Sequence, residues 1–173
     1  FDRVFSKKPK FKKIWLLQAM KTPKRSGQDL MVTNGKGRLF VQTLLPKEPT
    51  VKLVEGDRLY SYGGKSYPPN RNTGPAPECR IEISPSQPAA VDYFLHVLTA
   101  TDADVESVDR AQARIEGDQI IVDIGDTKVT FLTAEVGGYI SANGAGRVGL
   151  APPPLASDAA QIPEKISTLF KPP

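Results

Sequence analysis

Apolar positions along this chain come in short β-branched or aromatic runs broken by Gly, Pro, Asn and Asp. That punctuation belongs to strands and turns, and no segment sustains the 3.6-residue period of a helix. The chain reads as a strand from its opening Phe1-Asp2-Arg3-Val4-Phe5 onward. Phe11 to Met20 forms the first long strand, with Phe11, Trp15 and Leu17 on a common face expected in the core. Asp29 to Asn34 and Arg38 to Leu45 flank Asn34-Gly35-Lys36-Gly37, where Asn-Gly supplies the positive φ values that a tight hairpin demands. Val51 to Val54 and Arg58 to Ser61 follow, parted by Glu55-Gly56-Asp57. From Tyr62 to Pro77, glycine and proline crowd out any periodicity and predict a long surface loop.

Arg80 to Ser84 alternates polar and apolar. In Val91 to Thr99 one face carries Tyr93, Leu95 and Val97, and the other carries Phe94 and Leu98. A strand apolar on both sides belongs inside a layered structure. Ser107 to Glu116, Gln119 to Ile124 and Lys128 to Thr133 are joined by Gly117-Asp118 and Gly125-Asp126 and predict a three-stranded meander. Tyr139 to Ala142 and Arg147 to Leu150 are shorter candidates. One domain over 1–150 is expected. Residues 151–173 are expected to be a Pro-rich tail, in which Glu164 to Phe170 is a candidate for one short helical turn.

Composition changes this picture little. The 173 residues suit one domain, and 16 prolines with 14 glycines agree with a turn-rich β protein. No apolar run approaches the ~20 residues of a membrane span, and no leader peptide is apparent, so the start is expected to be a cut within a longer protein. The single Cys79 excludes an internal disulfide. With His96 the sole histidine and no clustered carboxylates, no metal site or cofactor is expected. Charge does add something. Residues 1–86 carry 17 Lys/Arg against 7 Asp/Glu, whereas residues 87–173 carry 6 against 12. A cationic half can attract an anionic polymer; strands showing solvated faces give the same count.

Several residues invite a functional reading beside an ordinary one. His96, between Leu95 and Val97, reads first as a semi-buried hydrogen-bonded histidine, and second as a proton shuttle or polar anchor at a cleft with another domain. Lys7-Lys8-Pro9-Lys10-Phe11-Lys12-Lys13 reads as a solvated loop, or as a surface for sulfate, carboxylate or phosphate groups. It lacks the interleaved aromatics of single-strand nucleic-acid modules, so no nucleic-acid partner is expected. Tyr60, Tyr62 and Tyr67 stand close enough together to stack on pyranose rings. Asp102, Asp104 and Glu106 read as an acidic turn rather than a calcium loop. Gly144-Ala145-Gly146-Arg147-Val148-Gly149 has dinucleotide-motif spacing, but it runs into Pro152-Pro153-Pro154, which cannot open the required helix.

Three stretches carry a family likeness. They are Phe1-Asp2-Arg3-Val4 with Phe11-Lys12-Lys13-Ile14-Trp15-Leu16-Leu17-Gln18; Thr33-Asn34-Gly35 with Gly37-Arg38-Leu39-Phe40-Val41-Gln42-Thr43-Leu44-Leu45-Pro46; and Arg80-Ile81-Glu82-Ile83-Ser84-Pro85 with Phe94-Leu95-His96-Val97-Leu98. In this order, over roughly residues 1–100, the chain resembles the C-terminal β-sheet domain of heparinase II/III-like polysaccharide lyases. The resemblance implies an α/α-toroid domain upstream and β-elimination on uronic-acid polysaccharides in the whole protein. That reaction needs a neutralised carboxylate, a base for the C5 proton and an acid for the leaving oxygen, tasks that Tyr and His usually share. Gln18 departs from the pattern: many relatives have histidine there, suited to metal ligation, and an amide is a poor substitute.

The expected fold is therefore all-β, an antiparallel β-sandwich or stacked-sheet (supersandwich-like) architecture. The resemblance implies a non-catalytic module that frames acidic polysaccharide in a secreted or periplasmic bacterial lyase. Alternatives are a stand-alone carbohydrate- or cell-surface-binding module and a purely structural domain. Candidate substrate contacts are Gln18, Arg38, Tyr60, Tyr62, Tyr67, Arg80 and His96; no catalytic residue is assigned.

Overall fold

The computed structural model describes residues 1–70 and 74–150. In chain order its strands are β1 (Asp2–Phe5), β2 (Trp15–Ala19), β3 (Lys24–Ser26), β4 (Asp29–Asn34), β5 (Gly37–Leu45), β6 (Pro49–Glu55), β7 (Ser61–Tyr62), β8 (Lys65–Ser66), β9 (Cys79–Pro85), β10 (Val91–Asp102), β11 (Gln112–Glu116), β12 (Gln119–Ile124), β13 (Thr127–Leu132), β14 (Gly138–Ala142) and β15 (Val148–Gly149). Among the described residues the one helical element is a 3-10 turn at Gly56–Arg58, and no helix is long and apolar enough to cross a membrane. All pairings are antiparallel.

The strands form three stacked layers. A central sheet runs β1-β10-β5-β4-β3, a three-stranded sheet β2-β9-β6 covers one face, and the meander β11-β12-β13-β14-β15 covers the other. Alternation decides which side chains meet. From β9, Cys79, Ile81 and Ile83 point inward onto Leu30, Val32 and Val41 of the central sheet, with Trp15, Leu17, Val51 and Leu53 around them. On the other side Leu45 and Leu95 meet Ile120 and Val122 of the meander, flanked by Tyr93, Val97 and Phe131. Each fully buried aliphatic side chain contributes about 1.5–3 kcal/mol over its exposed state, so these two cores hold the layers together.

The two-sided apolar pattern of Val91 to Thr99 thus has its cause, because β10 lies in the middle layer. Its register with β5 slips between Leu95, opposite Leu45, and His96, opposite Thr43. Leu44 is the extra residue, and this bulge lets Leu44 and Leu45 both pack on the meander. β1 pairs only with Val91–Phe94. Beyond that point β10 has no neighbour on β1's side among the described residues, and Leu98 is exposed.

Local turn chemistry places the hairpins. Gly35-Lys36 joins β4 to β5, with Gly35 at φ 58°. Positive φ falls on the glycine alone, the pattern of a turn with glycine at its first central position, and Asn34 stays in the strand. The meander extends the three expected strands to five. At Gly138 a Cβ would come within 2.0 Å of the Thr130 carbonyl oxygen, so only glycine fits where β14 meets β13.

Several expectations are corrected. The strand expected over Phe11 to Met20 is only Trp15–Ala19, and Phe11 is 55% exposed instead of sharing the core face of Trp15. Five lysines and Pro9 favour a turn there, closed by the Phe11 N–H donating to the Lys8 carbonyl at 3.0 Å. Arg58 to Ser61 is not a strand: the 3-10 turn drops Leu59 into a buried position first. The expected Tyr62–Pro77 loop contains most of the β7–β8 hairpin, turned by Gly63-Gly64. β11 begins at Gln112 rather than Ser107, because the preceding segment is strapped to β5. There Gln42 donates to the Ala111 carbonyl at 2.8 Å and accepts from its N–H at 2.9 Å. The 151–173 tail and its helical turn lie outside the described residues.

Candidate functional site

The outer face of the β2-β9-β6 sheet gathers most of the residues singled out above. Side chains alternate, so Leu16 and Gln18 of β2, Arg80, Glu82 and Ser84 of β9, and Thr50, Lys52 and Val54 of β6 point away from the core. Gln18 is opposite Arg80, and Val54 is opposite Arg80 on the other side. Yet Arg80, Glu82 and Ser84 are buried. The chain from Gly56 to Tyr67 folds over one end of this face and covers it, with Leu59 as its apolar anchor.

Arg80 holds that cover in place. Its Nε and one terminal nitrogen donate to Glu82 Oε1 at 3.0 and 2.8 Å, and the guanidinium also donates to the carbonyls of Leu59 and Ser61, the latter at 2.9 Å. A planar, permanently charged fork suits this buried role, since it satisfies several acceptors in one plane. Lys52 Nζ stands 3.8 Å from the second Glu82 oxygen. Of the three tyrosines, Tyr60 is half-buried, and its carbonyl accepts from the Tyr67 N–H at 2.7 Å. Tyr62 and Tyr67 are exposed on the hairpin, and Lys65 Nζ lies 5.4 Å from the Tyr67 ring centroid.

Gln18 and Arg38 also border a common cleft. It is open, has a volume of about 280 Å3 and lies between the sheets, with Met20, Asn34 and Leu39 also lining it. Gln18 is exposed there. Arg38 is half-buried, donates to Thr33 Oγ1 at 3.2 Å and also donates to the Val105 carbonyl.

His96 is on the inner side of the β2-β9-β6 sheet. Its ring stacks on Trp15 with centroids 4.0 Å apart, and Nδ1 is 3.2 Å from Thr43 Oγ1. Nε2 is buried without a partner, and burial pushes the imidazole pKa down to about 4. The neutral ring is therefore the form held at physiological pH. A sheet separates it from Tyr62 and Tyr67 of the hairpin on the outer face, so those tyrosines do not pair with His96. Among the described residues, no group of three or more His, Cys, Asp or Glu side chains is placed to hold a metal ion.

The lysine run divides in a way that the sequence does not reveal. Lys13 is buried, with Nζ 2.7 Å from Asp92 Oδ2 and 2.5 Å from the Ala89 carbonyl. Lys7, Lys8, Lys10 and Lys12 remain exposed, and none has a carboxylate within ion-pair distance among the described residues. Lys10 and Lys12 stand at the Ser84 end of the outer face, about 13 Å along β9 from Arg80 at ~3.3 Å per residue. The Gly-rich Gly144–Gly149 stretch forms a turn and β15, with the Ala145 N–H donating to the Ala142 carbonyl at 2.8 Å.

No protein-family model matches the chain, and no curated protein matches it significantly. Fold and surface define an all-β stack of three sheets. One outer layer carries an unneutralised lysine loop at one end and a tyrosine hairpin at the other.

Proposed function

We propose that this chain is a non-catalytic β domain of a heparinase II/III-like polysaccharide lyase, and that its β2-β9-β6 layer frames an acidic polysaccharide. A helical toroid elsewhere in the protein carries out the β-elimination. The observation that carries the glycan role is the set of four exposed lysines that have no acidic partner among the described residues, because uncompensated positive charge at one edge attracts a polyanion. The family part rests on the sequence resemblance, and its three stretches are neighbours in space: β1, β10, β5 and β4 pair in succession, and β2 pairs with β9. The non-catalytic part is supported by the separation of His96 from Tyr62 and Tyr67. This role carries with it a secreted or periplasmic location, where such polymers are met.

The test is binding of the purified chain to heparin, alginate and a neutral glucan over a salt series, with a parallel assay for unsaturated uronate. Salt-sensitive binding to the acidic polymers, without product formation, is the expected result. Binding to neither acidic polymer overturns the proposal. Exposed Tyr62 and Tyr67 favour a second reading, a stand-alone carbohydrate-binding module. Binding to the neutral glucan that is lost in a Tyr62→Ala/Tyr67→Ala variant selects it.

A further inference from the structure

The loop between β1 and β2 is tied down at both ends and is not a loose lysine tract. Five lysines in seven residues repel one another, and among the described residues only Lys13 meets a carboxylate, that of Asp92. The Ser6 N–H donates to the Ala90 carbonyl at 2.8 Å, Ser6 Oγ donates to the Lys8 carbonyl at 2.9 Å, and Lys13 ties the far end to Ala89 and Asp92. A site ordered before its ligand arrives loses less entropy on binding.

Between this loop and residues Ser84–Pro88 lies a cleft of about 330 Å3. Lys10, Phe11, Lys12, Thr50, Ser86 and Gln87 line it, and the Asp92 carboxylate that also borders it is paired with Lys13. Phe11 presents 55% of its surface to solvent, an apolar ring among cations, with Lys8 Nζ 5.6 Å from its centroid. Few ligands want all three kinds of group. An apolar ring suits the C–H face of a pyranose, lysines suit its anionic substituent, and hydroxyl and amide groups suit its hydroxyls. The volume is at the lower end of the ~300–1,000 Å3 typical of small-molecule sites, which suits about one ring. A nucleic-acid strand is the poorer match, because such proteins stack successive bases on successive aromatics and this cleft holds one ring.

We propose that this cleft is a subsite for one anionic pyranose of an acidic polysaccharide. Phe11 lies against the sugar's C–H face, Lys10 and Lys12 pair with its carboxylate or sulfate, and Gln87, Ser86 and Thr50 meet its hydroxyls. The assignment rests on the glycan-framing role above and names where that role is performed.

The experiment titrates the purified chain with alginate oligosaccharides, heparin oligosaccharides, polyphosphate and oligothymidylate over a salt series. It compares wild type with Phe11→Ala and Lys10→Ala/Lys12→Ala, all at exposed positions, after checking that melting temperatures are unchanged. Phe11→Ala is expected to weaken oligosaccharide binding about tenfold, the size of one aromatic contact, with the salt slope and polyphosphate binding unchanged. Lys10→Ala/Lys12→Ala is expected to weaken every polyanion and to reduce the salt slope by about two ion contacts. Alginate carries carboxylates alone and heparin carries carboxylates and sulfates, so binding to heparin but not alginate assigns the contact to sulfate. If both variants bind the oligosaccharides as wild type does, the subsite is wrong while the wider glycan role stands. If wild type binds none of them, both fall. Tighter binding to oligothymidylate, lost in Phe11→Ala, overturns the sugar assignment in favour of nucleic acid.

Discussion

Acidification reports on His96 more directly than any substitution in the two cores. The imidazole is held between Trp15 and Thr43 with Nε2 unpartnered, and burial lowers its pKa to about 4. In the unfolded chain a histidine titrates near ~6.5. The folded value is the lower one, so as pH falls the unfolded chain takes up its proton first. The stability this group contributes is complete above about pH 7, declines as pH falls through ~6.5, and stops declining near ~4, where the folded state also protonates. Between about pH 7.5 and pH 5, a pKa difference of this size removes roughly 2 kcal/mol. Urea unfolding midpoints for wild type and His96→Phe, taken at steps across that window, measure it. Phenylalanine keeps a flat ring against Trp15 and does not titrate, and the carboxylates act alike on both proteins and cancel in the difference. The wild-type protein should lose about 2 kcal/mol more than the variant on going to about pH 5. Parallel curves for the two proteins would refute the account and place the ring in contact with solvent.

Other perturbations follow from the same geometry. Glu82→Ala leaves the buried Arg80 guanidinium without its carboxylate, which costs about 3–5 kcal/mol in urea unfolding. The Arg80→Met/Glu82→Leu double variant costs clearly less than the two single changes added together, and additive costs would show that the pair is not coupled. Gly138→Ala drives a Cβ into the Thr130 carbonyl, so β13–β14 pairing is lost and hydrogen-exchange protection falls across β14. Gly137→Ala meets only Leu132 Cδ1 at 3.9 Å, although its φ of 142° adds backbone strain, so its loss of pairing is the smaller. Cys79 is fully buried and burial pushes its thiol pKa up, so an aromatic disulfide reagent labels it only as fast as β9 opens. Rapid labelling of the native protein would show that β9 is not in the core.

Much of the secondary structure could be read from the sequence because its rules are local. Alternation at Arg80 to Ser84 and the Gly-Asp turns of the meander depend on neighbours a few residues apart, and β9, β12, β13 and those turns are found where the pattern puts them. The two apolar faces of β10 even announced a middle layer. Short polar β3, the β7–β8 hairpin and the position of the β1–β2 loop were not legible in the sequence, because contacts distant in the chain help to hold them. Leu59 needs a pocket over β9, and Lys13 needs Asp92, 79 residues away.

The candidate site was less legible. Gln18 and Arg38 do share a cleft. Arg80 and Lys13 look in sequence like any solvated cation, and only long-range acceptors show that both are buried. The basic bias of residues 1–86 was plain from composition, but whether those charges share a surface was not. The chain's own pattern thus specified an all-β protein with a two-faced strand and a meander, since strand period and turn geometry act between near neighbours. Only the stacking of the sheets decided which charges are buried, which stay unpaired at one edge, and where His96 loses its water. Desolvation and ion pairing depend on distance in space, which the order of residues does not give.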